Sequence, residues 1–272
     1  MNAVVRHTST VHRADLHAAS RNAACRTRHG TRHGTCHGTR HTRRSKSQSV
    51  PFSRMSQPTT ASNEATKAAH EMSKKRLRQT FEQARRDMTD VSVEEKSRAI
   101  MSHVAALPEV KSASCLHAYW PIGGENEVNT IPFIVSAHRE GKTIALPVVT
   151  SFDRSSPQMT QRAFSGTEDL AVNRWGIAEP VSGPHVPLVD IDAVLVPALG
   201  AGRDGHRIGH GWGYYDRFLS MLPGAKRIVL AFEACMRDTM PHNDHDVPAD
   251  VVVTEACTYR ISRIPSSSPT EP

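Results

Sequence analysis

Residues 193–199, AVLVPAL, form a continuous apolar run with no polar alternation. A strand apolar on both faces must be covered on both faces. That is the situation of an inner strand of a parallel sheet with helices on either side. The next twenty residues, GAGRDGHRIGHGWGYYDRFL (200–219), are of the opposite character. Gly209, Gly211 and Gly213 alternate, and aromatic and charged residues follow at once. Glycine raises the entropic cost of ordering the chain, so three in alternation imply positive φ or close backbone approach. In an open parallel sheet, ligands bind beyond the carboxyl ends of the strands, which is where this loop falls.

The rest of the chain supplies elements that fit such a sheet. Glu64 to about Asp87 reads as a helix, with Leu77, Phe81, Ala84 and Met88 on the core face. Ser92 with Glu95 predicts a capping box for a second helix carrying Ile100, Val104 and Leu107, which Pro108 stops. Ser114–Trp120 is predicted as a buried strand. A short helix through Ile134 and Ala137 ends at Gly141, and Thr143–Val149 is the next strand. Strand, helix and strand at this spacing imply a parallel βαβ unit. Met159–Phe164 is an edge candidate, and Arg227–Phe232 and Asp250–Thr254 supply two more strands. The fold class is α/β, three layers, with a mostly parallel, Rossmann-like sheet flanked by helices, over residues 63–263.

The chain carries a net charge of +7, but the excess sits at the front. Residues 1–54 hold ten Arg and one Lys against Asp15, a net of +10, which leaves −3 for residues 55–272. Within them, TRHGTRHGTCHGTRH (27–41) has almost no apolar side chains, so residues 1–62 are expected to be a disordered basic tail, and 264–272 another. Three readings of the basic tail stay open. One is a start assigned too early, with Met55 and Met72 as alternatives. The second is a basic arm touching nucleic acid non-specifically, and the third an organelle-targeting peptide. His29, His33, Cys36, His37 and His41 fit compositional bias better than a metal site. The acidic balance outside the tail argues against a specific nucleic-acid partner. No run of 18 apolar residues predicts a membrane span. Five cysteines, an odd number without a CxxC pair, fit a reduced cytoplasmic protein.

The glycine loop is neither GxxxxGK[ST] nor GxGxxG after a first strand, so a Walker loop and a dinucleotide fold are disfavoured. The glycines alone read either as a glycine-rich surface turn before a helix or as an anion cradle, and the residues around them favour the cradle. Successive glycines allow backbone N–H groups to converge, a helix is expected to begin near Gly213, and Arg207 offers a fixed fork for a phosphate. Asp216, in the first helical turn, could hold a divalent metal on that phosphate or only complement the helix dipole. The basic segment KKRLR (74–78) reads either as a solvated helix face or as a stripe in which Lys74 and Arg78 act together. PHNDHD (241–246) offers His242, Asp244, His245 and Asp246. The spacing matches no specific zinc motif, and a polar loop with one magnesium ligand is preferred.

RIGHGWGYYDRFL (207–219) resembles the signature of the 5-formyltetrahydrofolate cyclo-ligase family. Further matching segments follow the same order: KKRLR (74–78), YWPIGGENEVNT (119–130), GKTIALPVV (141–149), NRWGIAEP (173–180) and HDVPADVVVTE (245–255). The resemblance covers about residues 73–255. It implies ATP- and Mg²⁺-dependent ring closure of 5-formyltetrahydrofolate to 5,10-methenyltetrahydrofolate, with ADP and phosphate released. By matched position, Lys74, Lys75, Arg76, Leu77 and Arg78 belong to the ATP site, with Lys74 and Arg78 on the phosphates. Arg207, Ile208, Gly209, His210, Gly211, Trp212, Gly213, Tyr214 and Tyr215 form its loop. Arg207, Tyr214 and Tyr215 are the expected catalytic group. Asp216 and Asp246 are the expected metal ligands. Ile122, Glu127 and Trp175 are expected on the folate, Glu127 being placed away from the glycine loop. The partners implied are small molecules, and a monomer is expected.

Three positions depart from the family pattern. Trp212 stands where relatives usually carry Gly or Lys, and Cys235 where many carry Gln. Asn129 replaces an Asp, although Asn is still able to cap the helix that follows.

Overall fold

The computed structural model describes residues 60–262, with side-chain surroundings from residue 70 onward. The expectations for residues 1–59 and 263–272 lie outside the described residues. The chain opens with helix α1 (Thr60–Arg86), then α2 (Asp90–Ala106) and the one-turn α3 (Pro108–Ser112). The first helix therefore starts earlier than Glu64, inside the range expected to be tail.

Strand β1 (Cys115–His117), helix α4 (Ile131–Arg139) and strand β2 (Thr143–Ser151) form the expected βαβ unit, and β1 and β2 pair parallel. β3 (Gln158–Ala163) runs antiparallel to β2. A hairpin of β4 (Leu170–Val172) and β5 (Ala178–Pro180) follows, then β6 (Ala193–Pro197). Short β7 (Gly200–Gly202) and β8 (Arg207–Ile208) lead to helix α5 (Tyr214–Ser220). The chain continues through β9 (Lys226–Leu230), β10 (Met236–Arg237), β11 (Val251–Val253) and β12 (Thr258–Arg260).

The main sheet has seven strands in the order β12-β11-β9-β6-β1-β2-β3. Its five inner strands are parallel, and only the edges β12 and β3 are antiparallel. Ala193, Val194, Leu195 and Val196 of β6 are wholly buried, as an apolar run in such a sheet should be. Ile100, Val104 and Ile134 pack with Leu116, Leu195 and Ile228 in one apolar cluster, and Phe218 and Leu219 pack with Val194, Val196 and Val229 in another.

Two details differ from expectation. The cap of α2 is Thr89, whose hydroxyl accepts from the Ser92 N–H at 3.2 Å, so the proposed cap residue lies inside the helix. Both residues are capable caps, and Thr89 wins because the helical turn begins three residues earlier. β1 is only three residues long because the last part of the expected strand, Ala118–Trp120, peels away into a loop.

That departure positions the site. The chain leaves β1 toward β2 and β3 on one side, then returns to β6 and β9 on the other. Neighbouring strands β1 and β6 therefore flank the switch in strand order, the usual position of a ligand crevice. The loop after β1 and the glycine loop after β6 both issue from it.

Candidate active site

The glycine loop is carried by a second, three-stranded sheet of order β10-β7-β8, a feature with no clear mark in the sequence. Helix α1 covers this sheet. Phe81 is fully buried there with Leu199, Ile208, Cys235 and Met240, and Leu77 packs at its margin. The two turns on either side of Trp212 require glycine. Gly211 has φ +85°, with the Arg78 guanidinium carbon 3.0 Å from where a Cβ would sit, and Gly213 has φ +76°. Side chains rarely adopt that backbone region. Gly209 has neither constraint, but its carbonyl accepts from Arg78 Nε at 3.1 Å.

α1 thus presents Lys74 and Arg78 on one stripe toward the loop. Lys74 is buried and its ammonium donates to Asp246 Oδ2 at 2.5 Å. Lys75 and Arg76 are exposed, so the solvated-face reading fits those two and fails for Lys74. Arg207 sends Nη2 to Asp216 Oδ1 at 2.7 Å and Nη1 to the Val247 carbonyl at 2.7 Å. The Val247 N–H also donates to Asp216 Oδ1, at 3.1 Å, which ties the two acidic segments together. Burial works against the Asp246 carboxylate. The Lys74 ammonium and the Asn243 N–H outweigh it and hold the pKa below the ordinary Asp value.

These groups fit a magnesium-bound phosphate. Magnesium takes one or two carboxylates and fills its remaining positions with water and phosphate oxygens. Among the described residues no cluster of three or more His, Cys, Asp or Glu side chains could hold a metal alone. In PHNDHD, His242 stacks on His206 at 3.6 Å with ring planes 2° apart, and Asn243 N–H donates to Asp246 Oδ2. Helix α5 has only seven residues, so the side-chain cations around the loop are the stronger electrostatic feature.

On the other side of the crevice, Glu127 is nearly buried. Its Oε2 accepts from the Ile122 N–H at 2.9 Å, which closes the loop after β1. The sequence placed Glu127 away from the glycine loop. In the structure its Oε1 is 3.7 Å from His210 Nε2 of that loop. Sequence distance hid this contact because the two loops issue from adjacent strands, β1 and β6.

Arg85 was missed from sequence. It is buried, its Nε donates to the Asn126 carbonyl at 3.0 Å, Nη2 donates to the Glu125 carbonyl, and Nη2 lies 3.9 Å from Glu127 Oε1. Asn126 answers by donating from Nδ2 to the Arg85 carbonyl at 2.8 Å and adopts φ +45°, a conformation that Asn tolerates. The only signal was an Arg on the expected helix, indistinguishable there from the solvated Arg86.

Tyr215 lies between the two sides. Its hydroxyl is buried without a hydrogen-bond partner among the described residues, and burial followed by the Glu127 charge pushes its pKa far up. Tyr214 donates to the Ser151 carbonyl at 2.7 Å. Trp175 contacts Trp212 at 4.8 Å between ring centroids, Phe152 at 4.2 Å and Tyr214 at 6.2 Å. Trp212 therefore joins the glycine loop to the tip of the β4–β5 hairpin. Of the other departures, Asn129 does not cap α4: Thr130 holds the cap position without a side-chain cap bond, and Asn129, one residue earlier, accepts from the Ile131 N–H at 3.1 Å in an Asx turn. Cys235 is buried beside Phe81, and burial raises its thiol pKa to about 11.

The model of the 5-formyltetrahydrofolate cyclo-ligase family matches residues 70–255, well over half of the chain. The chain belongs to this family. A probable 5-formyltetrahydrofolate cyclo-ligase of Schizosaccharomyces pombe is 31% identical over 155 residues, covering 55% of this chain and 72% of the relative. The 5-formyltetrahydrofolate cyclo-ligase of Escherichia coli K12 is 27% identical over 176 residues, covering 63% and 94%. The solved 5,10-methenyltetrahydrofolate synthetase of Aquifex aeolicus superposes with a TM-score of 0.62 at 28% identity, over 73% of this chain and 97% of that one. The cyclo-ligase match spans both loops of the crevice and α1 from residue 70 onward. Among the described residues no helix is long and apolar enough to cross a membrane.

Proposed function

We propose that this chain closes the ring of 5-formyltetrahydrofolate to 5,10-methenyltetrahydrofolate at the expense of ATP, with Mg²⁺ on the phosphates. The observation that carries this reading is the placement of the glycine loop. Its Gly209 carbonyl takes Arg78 from the cationic side, and His210 and Trp212 reach Glu127 and Trp175 on the aromatic side. A reaction that transfers a phosphoryl group from one substrate to the other needs both held against one loop.

The steps balance simply. The formyl oxygen takes the γ-phosphoryl group, forming an O–P bond as ADP leaves. N10 attacks the activated carbon and gives up its proton to the medium or the departing phosphate, and phosphate leaves with the former formyl oxygen as the ring closes. Asp216 and Asp246 would hold a magnesium ion, which would supply positive charge to the phosphates. Arg207, Lys74 and Arg78 supply fixed positive charge there. Glu127 presents a carboxylate to the N–H edge of a pterin, beside Ile122, and Trp175 offers a flat apolar face. Tyr214 and Tyr215 line the junction.

Purified protein is expected to produce methenyltetrahydrofolate absorbance only when ATP and Mg²⁺ are both present. Turnover without nucleotide would overturn the mechanism.

Glu127→Gln keeps the size of the side chain and removes its charge. It should weaken folate binding well beyond its effect on ATP, because the carboxylate holds the Ile122 loop and, although it approaches His210, makes no contact with the Arg207–Asp216 pair. Calorimetric titrations with each ligand test this, and equal weakening of both would remove Glu127 from the folate side.

A further inference from the structure

The aromatic panel beside the glycine loop ends in a cation at each side. Arg174 lies over the Phe152 ring at 3.9 Å, Phe152 meets Trp175 edge-on, Trp175 meets Trp212, and Arg154 lies over Trp212 at 4.7 Å. Three separate segments build it: the turn after β2, the tip of the β4–β5 hairpin, and the glycine loop. The hairpin tip is fixed in place. Asn173 Oδ1 accepts from the N–H groups of Trp175 and Ile177, at 2.8 and 3.2 Å. Glu179 Oε1 accepts from Asn173 Nδ2 at 2.9 Å and from the Val149 N–H of β2 at 2.8 Å.

Both arginines are exposed, and among the described residues neither makes an ion pair within 4.0 Å. The nearest acid in sequence, Asp153, turns its carboxylate onto the Ser155 N–H and hydroxyl instead. A guanidinium lying on a ring uses its face there and keeps its edge N–H groups for a planar anion. Part of its rotamer freedom is already lost, so less remains to be lost on binding. An arginine kept without an acidic partner on each side of an aromatic cluster, whose rings meet at 90° and 43°, fits a ligand with an aryl body and carboxylates beyond it.

We propose that Arg154 and Arg174 form a subsite for the carboxylates of the substrate's glutamate tail, with the aryl portion lying along Phe152, Trp175 and Trp212. This rests on the folate reading above and adds what recognises the charged end. Tails with more carboxylates bind more tightly at this subsite, and the preference weakens with salt because the arginines are at the surface.

The test compares three substrates: 5-formyltetrahydropteroate, which lacks glutamate, and the mono- and triglutamate forms of 5-formyltetrahydrofolate. Each is assayed with the unaltered protein, Arg154→Ala, Arg174→Ala and the double variant, at two salt concentrations, with melting curves as a check on folding. The unaltered protein should show KM falling from no glutamate to one to three. The double variant should raise KM for the triglutamate about tenfold, the value of one charge-assisted hydrogen bond. Its KM for the glutamate-free substrate should move less than about twofold on the same scale.

An equal rise for all three substrates would mean that the arginines only brace the aromatic panel, and would overturn the subsite. So would an unaltered protein indifferent to tail length. Quenching of tryptophan fluorescence by the same three ligands reads binding without turnover. If no ring closure is seen but quenching still ranks the ligands by tail length and loses that ranking in the double variant, the activity fails and the subsite stands. No ranking in either readout overturns it.

Discussion

Arg207→Ala is expected to lower turnover by about 10²–10³-fold while the protein remains folded. The side chain is nearly buried, with one arm of its fork on Asp216 and the other on the Val247 carbonyl. It therefore approaches a phosphate as a rigid charge whose reorganisation cost is already met, which is where electrostatic catalysis is strongest. Removing it also leaves Asp216 Oδ1 with only the Val247 N–H, so the loss of catalysis should exceed the loss of ATP affinity. Arg207→Lys restores the charge without the fork and should recover little, because a lysine cannot hold both partners at once. Rates at saturating substrate, ATP titrations and thermal melts separate these effects. A folded Arg207→Ala protein retaining more than about half its turnover would remove Arg207 from the phosphate site.

How much of this was legible without coordinates depended on range. AVLVPAL announced an inner parallel strand because burial on both faces is a local property of the sequence, and the βαβ unit around α4 followed from spacing. Met159–Phe164 was recognisable as an edge, and β3 is one. The glycine loop was legible as a loop with special backbone needs, which Gly211 and Gly213 confirm through their positive φ. Pairings across the crevice were not legible. Lys74 with Asp246 spans 172 residues; helical spacing put Lys74 on a stripe with Arg78, but nothing local named its acidic partner or its burial. Arg85 looked like any basic residue near a helix end until its contacts with Glu125, Asn126 and Glu127 were seen. The three-stranded sheet escaped because its strands are two or three residues long, too short to show any period.

His117 gives the other large expected effect, on stability against pH. It is the last residue of β1, fully buried, with neither ring nitrogen hydrogen-bonded among the described residues. Its ring lies 4.5 Å from Phe218 and meets Tyr215 edge-on at 6.0 Å. Burial alone lowers its pKa from 6.5 to about 3. The unfolded chain therefore binds a proton on this imidazole at a pH where the native protein does not. The contribution to stability is complete above about pH 6.5 and is lost progressively as the pH falls toward 3. At pH 5 the loss should be about 2 kcal/mol, from a gap of about 1.5 units at 1.36 kcal/mol per unit. His117→Leu removes the titrating group and fills similar space with carbon. At pH 7 the variant should lie within about 1 kcal/mol of the parent, since an imidazole without partners contributes little beyond its packing. At pH 5 it should gain about 2 kcal/mol on the parent relative to that pH 7 difference. The carboxylates with lowered pKa, such as Asp246 and Glu255, lose stability in acid as well, but equally in both proteins, so the difference isolates the histidine. Urea unfolding at the two pH values measures it. A variant whose difference from the parent is the same at pH 7 and pH 5 would show that His117 takes up its proton in the native protein.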